Sequence, residues 1–210
     1  MEESNIHITE KQKRIEKASL EEKAFATALE KTMGIKCTLS TFDDNLLKHV
    51  DVICQCNDKT FRVDFKHRSN GKHIFEIIND YGLKGSLFAE ELDYFAHYNE
   101  KCKEVWFVNR KLIQNKFFPK VIMMNGYINI NTLLNNNAQE TKKYIIELIN
   151  NGYIKTETNR KPYELYSRYV ISNEQKIDLI FEIPQKDIEP LVEWKFRFDL
   201  NYWMRKQNNI

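Results

Sequence analysis

The chain predicts a mixed α/β fold, a β-sheet flanked by helices, with a smaller α+β elaboration at its C-terminal end. Three observations predict it. Apolar residues recur at helical spacing from Leu20 to Met33. Several short segments alternate apolar and polar residues as half-buried strands do. The two patterns interleave along the chain, so one sheet has to share a core with helices.

Residues 1–18 are polar and charged and read as a loose helical lead-in. Ser19, with Glu22 three residues on, has the spacing of a capping box at the start of the first firm helix, and Gly34 stops that helix. Residues 36–42 predict a strand and 43–48 a polar connection. Residues 51–56 and 60–66 alternate on either side of Asn57-Asp58, a turn signal, and together predict a hairpin. A basic loop follows at 67–73, then a strand at 74–78 and a helix at 87–93. Short buried strands are expected at 94–98 and 104–109, and a helix at 111–118 that Pro119 ends. Residues 19–118 form the core on this reading. Residues 119–210 form the elaboration, packed on the same domain. It holds an amphipathic helix at 141–150 and strand-like stretches at 153–158, 166–172, 176–183 and 191–198.

Composition removes some classes of function. The longest apolar runs, at 105–108 and 121–124, are far too short to cross a bilayer, so no membrane partner is expected. The N-terminus is acidic and has no apolar signal stretch. Cys37, Cys54, Cys56 and Cys102 form no CxxC pair, which fits reduced thiols in a cytoplasmic protein. Net charge is only +2, but Lys59, Arg62, Lys66, Arg68 and Lys72, with His67 and His73, surround a single acid, Asp64. A cationic surface of that kind suits phosphate contact, although a charge run alone is more often a solvated edge.

The hairpin carries the chemistry. Side chains alternate faces along a strand, so Arg62, Asp64 and Lys66 share one face and Phe61, Val63 and Phe65 the other. Val52, Cys54 and Cys56 share the apolar face; Asp51, Ile53 and Gln55 share the opposite one. A two-residue turn at Asn57-Asp58 sets Asp51 opposite Asp64, and a four-residue turn sets it opposite Lys66. Two facing carboxylates repel unless a cation lies between them. Hard oxygen donors at that spacing suit Mg²⁺ or Mn²⁺, and Lys66 adds a point charge. A metal plus a cation is the equipment of phosphodiester hydrolysis. Asp/Glu-x-Lys alone is a weak signal, since the chain contains five. The rival set is Asp178 with Glu193 and Lys195, separated by Pro184 and Pro190, which rule out a tight hairpin.

A helix, then an Asp closing a polar loop, then a hairpin ending in Asp-x-Lys resembles the core pattern of the PD-(D/E)xK nuclease superfamily. The resemblance covers roughly residues 20–110, with His49-Val50-Asp51 where the family often has Pro-Asp. The resemblance implies a restriction-endonuclease-like mixed sheet, as in the phage-type and Holliday-junction-resolvase-like members. It implies a Mg²⁺- or Mn²⁺-dependent endonuclease acting on nucleic acid, DNA above RNA. By it, Asp51, Asp64 and Glu22 bind the metal, with Glu21 the alternative to Glu22, and Lys66 orients water and stabilises the transition state. His67, Arg68 and Lys72 hold backbone phosphates. Glu76–Asn79, Gly85–Leu87 and Leu92–Tyr94 resemble a further stretch of phage-type members, although Ser86 stands where they often carry Trp.

Two other readings stand beside it. One is a non-catalytic nucleic-acid-binding or protein-interaction module that keeps the nuclease fold. The other is a zinc protein using Cys54, Cys56 and a histidine. The aromatics Trp194, Phe196, Phe198, Tyr202 and Trp203 belong to a core, a recognition surface or a homodimer interface.

Overall fold

The computed structural model describes residues 2–41, 48–67, 73–156, 161–167 and 177–207, with the side chains of 2–12 and 14 outside the description. Its first element, α1, runs from Glu2 to Met33 without a break. Ser19 is therefore a mid-helix residue and not an N-cap. No Gly or Pro occurs before Gly34, so nothing interrupts the helix once its buried face at Ala24, Phe25, Ala28 and Leu29 anchors it. Gly34, at φ 69°, ends it in the left-handed conformation that glycine adopts at least cost.

The strands β1 (Lys36–Leu39), β2 (Val52–Cys56), β3 (Lys59–His67), β5 (Tyr94–Asn99), β6 (Glu104–Asn109) and β8 (Val192–Arg197) form a six-stranded sheet, in the order β1-β2-β3-β5-β6-β8. Only the β3–β5 pair is parallel. The remaining strands, β4 (His73–Ile78) and β7 (Leu179–Ile183), pair antiparallel in a separate two-stranded sheet. The fold is mixed α/β, as the interleaved patterns predict.

Two cores lie on opposite faces of the main sheet. One packs α1 and the C-terminal helix α6 (Leu200–Gln207) against Val52, Cys54, Val63, Phe65, Ala96 and Phe107. Phe25 stacks on Phe65 at 4.5 Å between ring centres and meets Phe107, Phe196 and Phe198 around it. The other core joins Phe95 and Val108 of the main sheet to Phe75 and Phe181 of the small one. It takes in α2 (Arg110–Met124) and α4 (Ala138–Asn150) as well. Between those helices lies the short α3 (Ile130–Leu133), and α5 (Gln185–Ile188) precedes β8. Among the described residues no helix is long and apolar enough to cross a membrane.

Several expectations give way to the structure. Residues 87–93 are not a helix: a 3₁₀ turn at Ser86–Phe88 leads into irregular backbone. Arg110, almost fully buried, donates to the carbonyls of Leu92 at 2.8 Å and Leu87 at 3.0 Å, replacing helical bonds with side-chain ones. Pro119 does not end α2, which continues to Met124. The strand predicted at 74–78 forms as β4 and lies outside the hairpin's sheet, pairing with β7 from the C-terminal stretch. Of 153–158 and 166–172, the described residues make only isolated bridges, Lys155 to Tyr166 and Tyr166 to Ile180.

Candidate active site

The hairpin forms with the tighter of the two registers. Asn57 takes φ 53°, a left-handed conformation that asparagine tolerates, and Cys56 pairs with Lys59. The ladder runs back to Val52 opposite Val63. Asp51 lies one step beyond, where its N–H donates to the Val63 carbonyl at 2.9 Å. Its carbonyl accepts from the Ser40 N–H at 2.9 Å, so both neighbouring strands hold its backbone. Ser40 also donates its hydroxyl to the Val50 carbonyl. His49, at φ 53°, turns the chain into this segment, with its ring on the Lys84 carbonyl at 3.1 Å.

The side chains then converge. Asp51 Oδ2 accepts the Phe65 N–H at 2.7 Å, continuing the ladder with a carboxylate where a backbone carbonyl would stand. Lys66 Nζ pairs with Asp64 Oδ1 at 2.7 Å. Asp64 is 1% exposed and Asp51 7%, while the Lys66 side chain keeps 22% of its surface, so the cluster opens to solvent on the lysine side. The buried Oδ2 of Asp64 has no fixed N–H or O–H donor among the described residues. The Asp51 carboxyl fills that role only while it carries a proton.

Electrostatics follow from this crowding. Burial first, then the neighbouring charge of Asp64, hold the Asp51 carboxyl well above its ordinary proton affinity; Lys66 opposes them and Glu22 adds to them. Glu22, from α1, belongs to the same group. Burial raises it from 4.5 to about 7, with Lys66 pulling down and Asp64 and Glu21 pushing up. Three carboxyl groups thus share one ammonium, and the deficit is met by protons or by an added cation.

Glu21 has a different role. Its Oε1 meets His67 Nδ1 at 3.0 Å and Lys17 Nζ at 3.7 Å, and the His67 ring lies edge-on to Tyr98. Glu22, one residue on, is the α1 carboxylate whose proton affinity responds to Asp64 and Lys66. Arg68 and Lys72 lie outside the described residues. The rival set does not assemble. Asp178 is fully buried beside the small sheet, where its Oδ1 meets the Ser167 hydroxyl at 3.2 Å. Glu193 and Lys195 lie on β8 of the main sheet, paired with Tyr94 and Glu104. The zinc reading fails too: Cys54 is buried against Cys37 and Cys56 is exposed at the turn.

Hard carboxylate oxygens with one buried oxygen lacking a donor fit Mg²⁺ or Mn²⁺, which need only one or two protein carboxylates and keep several waters. Among the described residues no group of three or more His, Cys, Asp or Glu side chains is already arranged to hold a metal ion. The fit is therefore to the Asp51–Asp64 pair, with Glu22 beside it.

Two residues that sequence reasoning did not rank support this geometry. Asp93 accepts the Arg62 N–H at 2.8 Å and returns its own N–H to the Arg62 carbonyl at 3.0 Å, locking β3 to the start of β5. Arg110 holds the adjoining loop. For the first, the signals are an acidic residue just before a strand and the resemblance of Leu92–Tyr94 to phage-type members. The second has none, because Arg at a helix start reads as surface.

Fold and site together define a mixed α/β protein with a buried carboxylate–lysine cluster at the end of a β-hairpin. Comparison with protein-family models, with curated proteins and with solved structures finds no match to this chain.

Proposed function

We propose that the chain is a divalent-metal-dependent nuclease of restriction-endonuclease-like type, hydrolysing phosphodiester bonds, with DNA the first substrate to test. The observation that carries this reading is the convergence of Asp51, Asp64 and Lys66, with an oxygen of Asp64 left for a cation and the Glu22 carboxyl of α1 within reach of their charges. Asp51 and Asp64 would hold Mg²⁺ or Mn²⁺. A cation held there supplies Lewis acidity to the phosphoryl group and acidifies water beside it. Asp51, anchored through the Phe65 N–H, keeps one oxygen fixed in direction. Lys66 places its ammonium beside the phosphoryl oxygens and stabilises the charge that builds there in the transition state. Glu22, titrating near neutrality, accepts or releases a proton at its carboxyl. His67, Arg68 and Lys72 are the proposed phosphate contacts, although His67 is already engaged by Glu21.

The test is incubation of purified protein with linear, circular, single-stranded and junction DNA, with Mn²⁺ or with EDTA. Cleavage is expected only with the metal. Asp64→Ala and Lys66→Ala should each lower it by about 10²-fold or more with the circular-dichroism spectrum unchanged. Wild-type cutting by Asp64→Ala sinks the assignment. A second reading, a binding module that keeps the fold without catalysis, is favoured by one observation: Asp51 and Asp64 are almost inaccessible. It predicts nucleic-acid or protein binding that is the same in Mn²⁺ and in EDTA, without cleavage.

A further inference from the structure

Away from the carboxylate cluster, two thiols lie face to face. Cys37 on β1 is the direct antiparallel partner of Cys54 on β2, and their sulfurs are 3.7 Å apart. Residues directly opposite on antiparallel strands have α-carbons roughly 4.5–5.5 Å apart, inside the range a disulfide spans. Cys54 is fully buried among Ala24, Val52 and Val63, whereas Cys37 is half-buried and reachable from outside. Cys56, two residues further along, is exposed at the turn, and Cys102 is exposed elsewhere.

We propose that Cys37 and Cys54 are a modification site, a latent cross-strand disulfide that a small-molecule disulfide such as oxidised glutathione closes. The chemistry balances as two exchanges. The Cys37 thiolate attacks one sulfur of the reagent, forming a mixed disulfide and expelling one glutathione thiolate. The Cys54 thiolate then attacks the Cys37 sulfur, forming the protein disulfide and expelling the second. Two electrons pass to the reagent, and the two thiol protons end on the two released glutathiones. The order follows from access, since only Cys37 meets a solute first. The hydrogen bond with the Cys37 thiol first, and burial second, push the Cys54 thiol up, so the second exchange is the slow one and quickens as pH rises. The closed bond joins edge strand β1 to β2 and encloses a loop that contains Asp51. The inference is independent of the nuclease reading.

The experiment uses the full chain carrying Cys56→Ser and Cys102→Ser, exposed to oxidised glutathione at pH 8 and then alkylated in denaturant. Trypsin cuts after Lys36, Lys48 and Lys59, placing the two cysteines in peptides 37–48 and 49–59. The expected result is one linked species of those two peptides, unalkylated, that dithiothreitol separates. The oxidised protein should melt about 5 °C or more higher, as closing a loop of about 18 residues predicts. A further Cys54→Ala change should leave only a mixed disulfide at Cys37. Full alkylation of both cysteines after oxidation overturns the proposal, as does glutathione at Cys37 that never resolves in the protein with Cys54 intact.

Discussion

At Asp51 a single proton decides whether the neighbourhood is comfortable. Its folded-state affinity for that proton is raised above the ordinary value of 3.8 by burial first and Asp64 second. A raised carboxyl stabilises the fold while protonated, and that contribution is lost as pH climbs through the raised value. Asp51→Asn keeps an oxygen for the Phe65 N–H and removes the charge. Without divalent metal at pH 8 it should melt at a higher temperature, reflecting a stability gain of about 1–2 kcal/mol, and Mn²⁺ should stabilise it less than wild type. A lower melting temperature in EDTA would contradict the repulsion described. The residues in this cluster were legible because alternation and a two-residue turn determine which side chains share a face. What alternation could not show was depth. Asp64 is 1% exposed, and a strand's alternation says which face a side chain takes but not how much of the rest of the chain packs over it.

At the scale of elements, the errors share a cause. A capping box at Ser19 is a local signal, worth about 1 kcal/mol, and it loses to an uninterrupted run of residues compatible with helix. Pro119 loses in the same way, because α2 is held by the burial of Ile113, Phe117 and Val121 on either side of it. Three helix starts carry a local signal: Asn109, Asn129 and Asn137 each accept two N–H groups of the turn that follows. The loop at 87–93 depends on one side chain from another element. Replacing Arg110 by Met keeps the length and deletes the donors, leaving the Leu87 and Leu92 carbonyls unsatisfied. Urea denaturation should show a loss of about 2–4 kcal/mol, with Arg110→Lys intermediate. A neutral Arg110→Met would mean that the loop carries itself.

For the whole molecule, the small sheet docks on the large one through aromatic and imidazole rings. His73 of β4 meets His97 of β5 at 4.6 Å between ring centres, with Trp106 and Phe75 alongside. His73 is 5% exposed, and burial lowers it from 6.5 to about 4. The folded state thus refuses a proton that the unfolded chain accepts. Stability is complete above about pH 6.5 and falls as the pH drops towards 4, by about 3 kcal/mol from this residue. His73→Phe should flatten that part of the stability–pH curve, compared by urea titration at pH 7 and pH 4.5. An unchanged slope would place the acid sensitivity elsewhere. Sequence foresaw the strands of both sheets and the pairing within the hairpin, and could not foresee the distant partners, since pairing across long stretches of chain leaves no periodic trace.

That distant pairing has a consequence for how the molecule comes into being. β4 waits for β7, and the open side of β6 waits for β8, so neither sheet is complete until the segment from 179 onward has left the ribosome. Until then the nascent chain carries β4 without β7 and β6 without β8, each with a strand edge unsatisfied. Loop closures of this span slow the search for the native state, and bare edges invite wrong partners in the meantime.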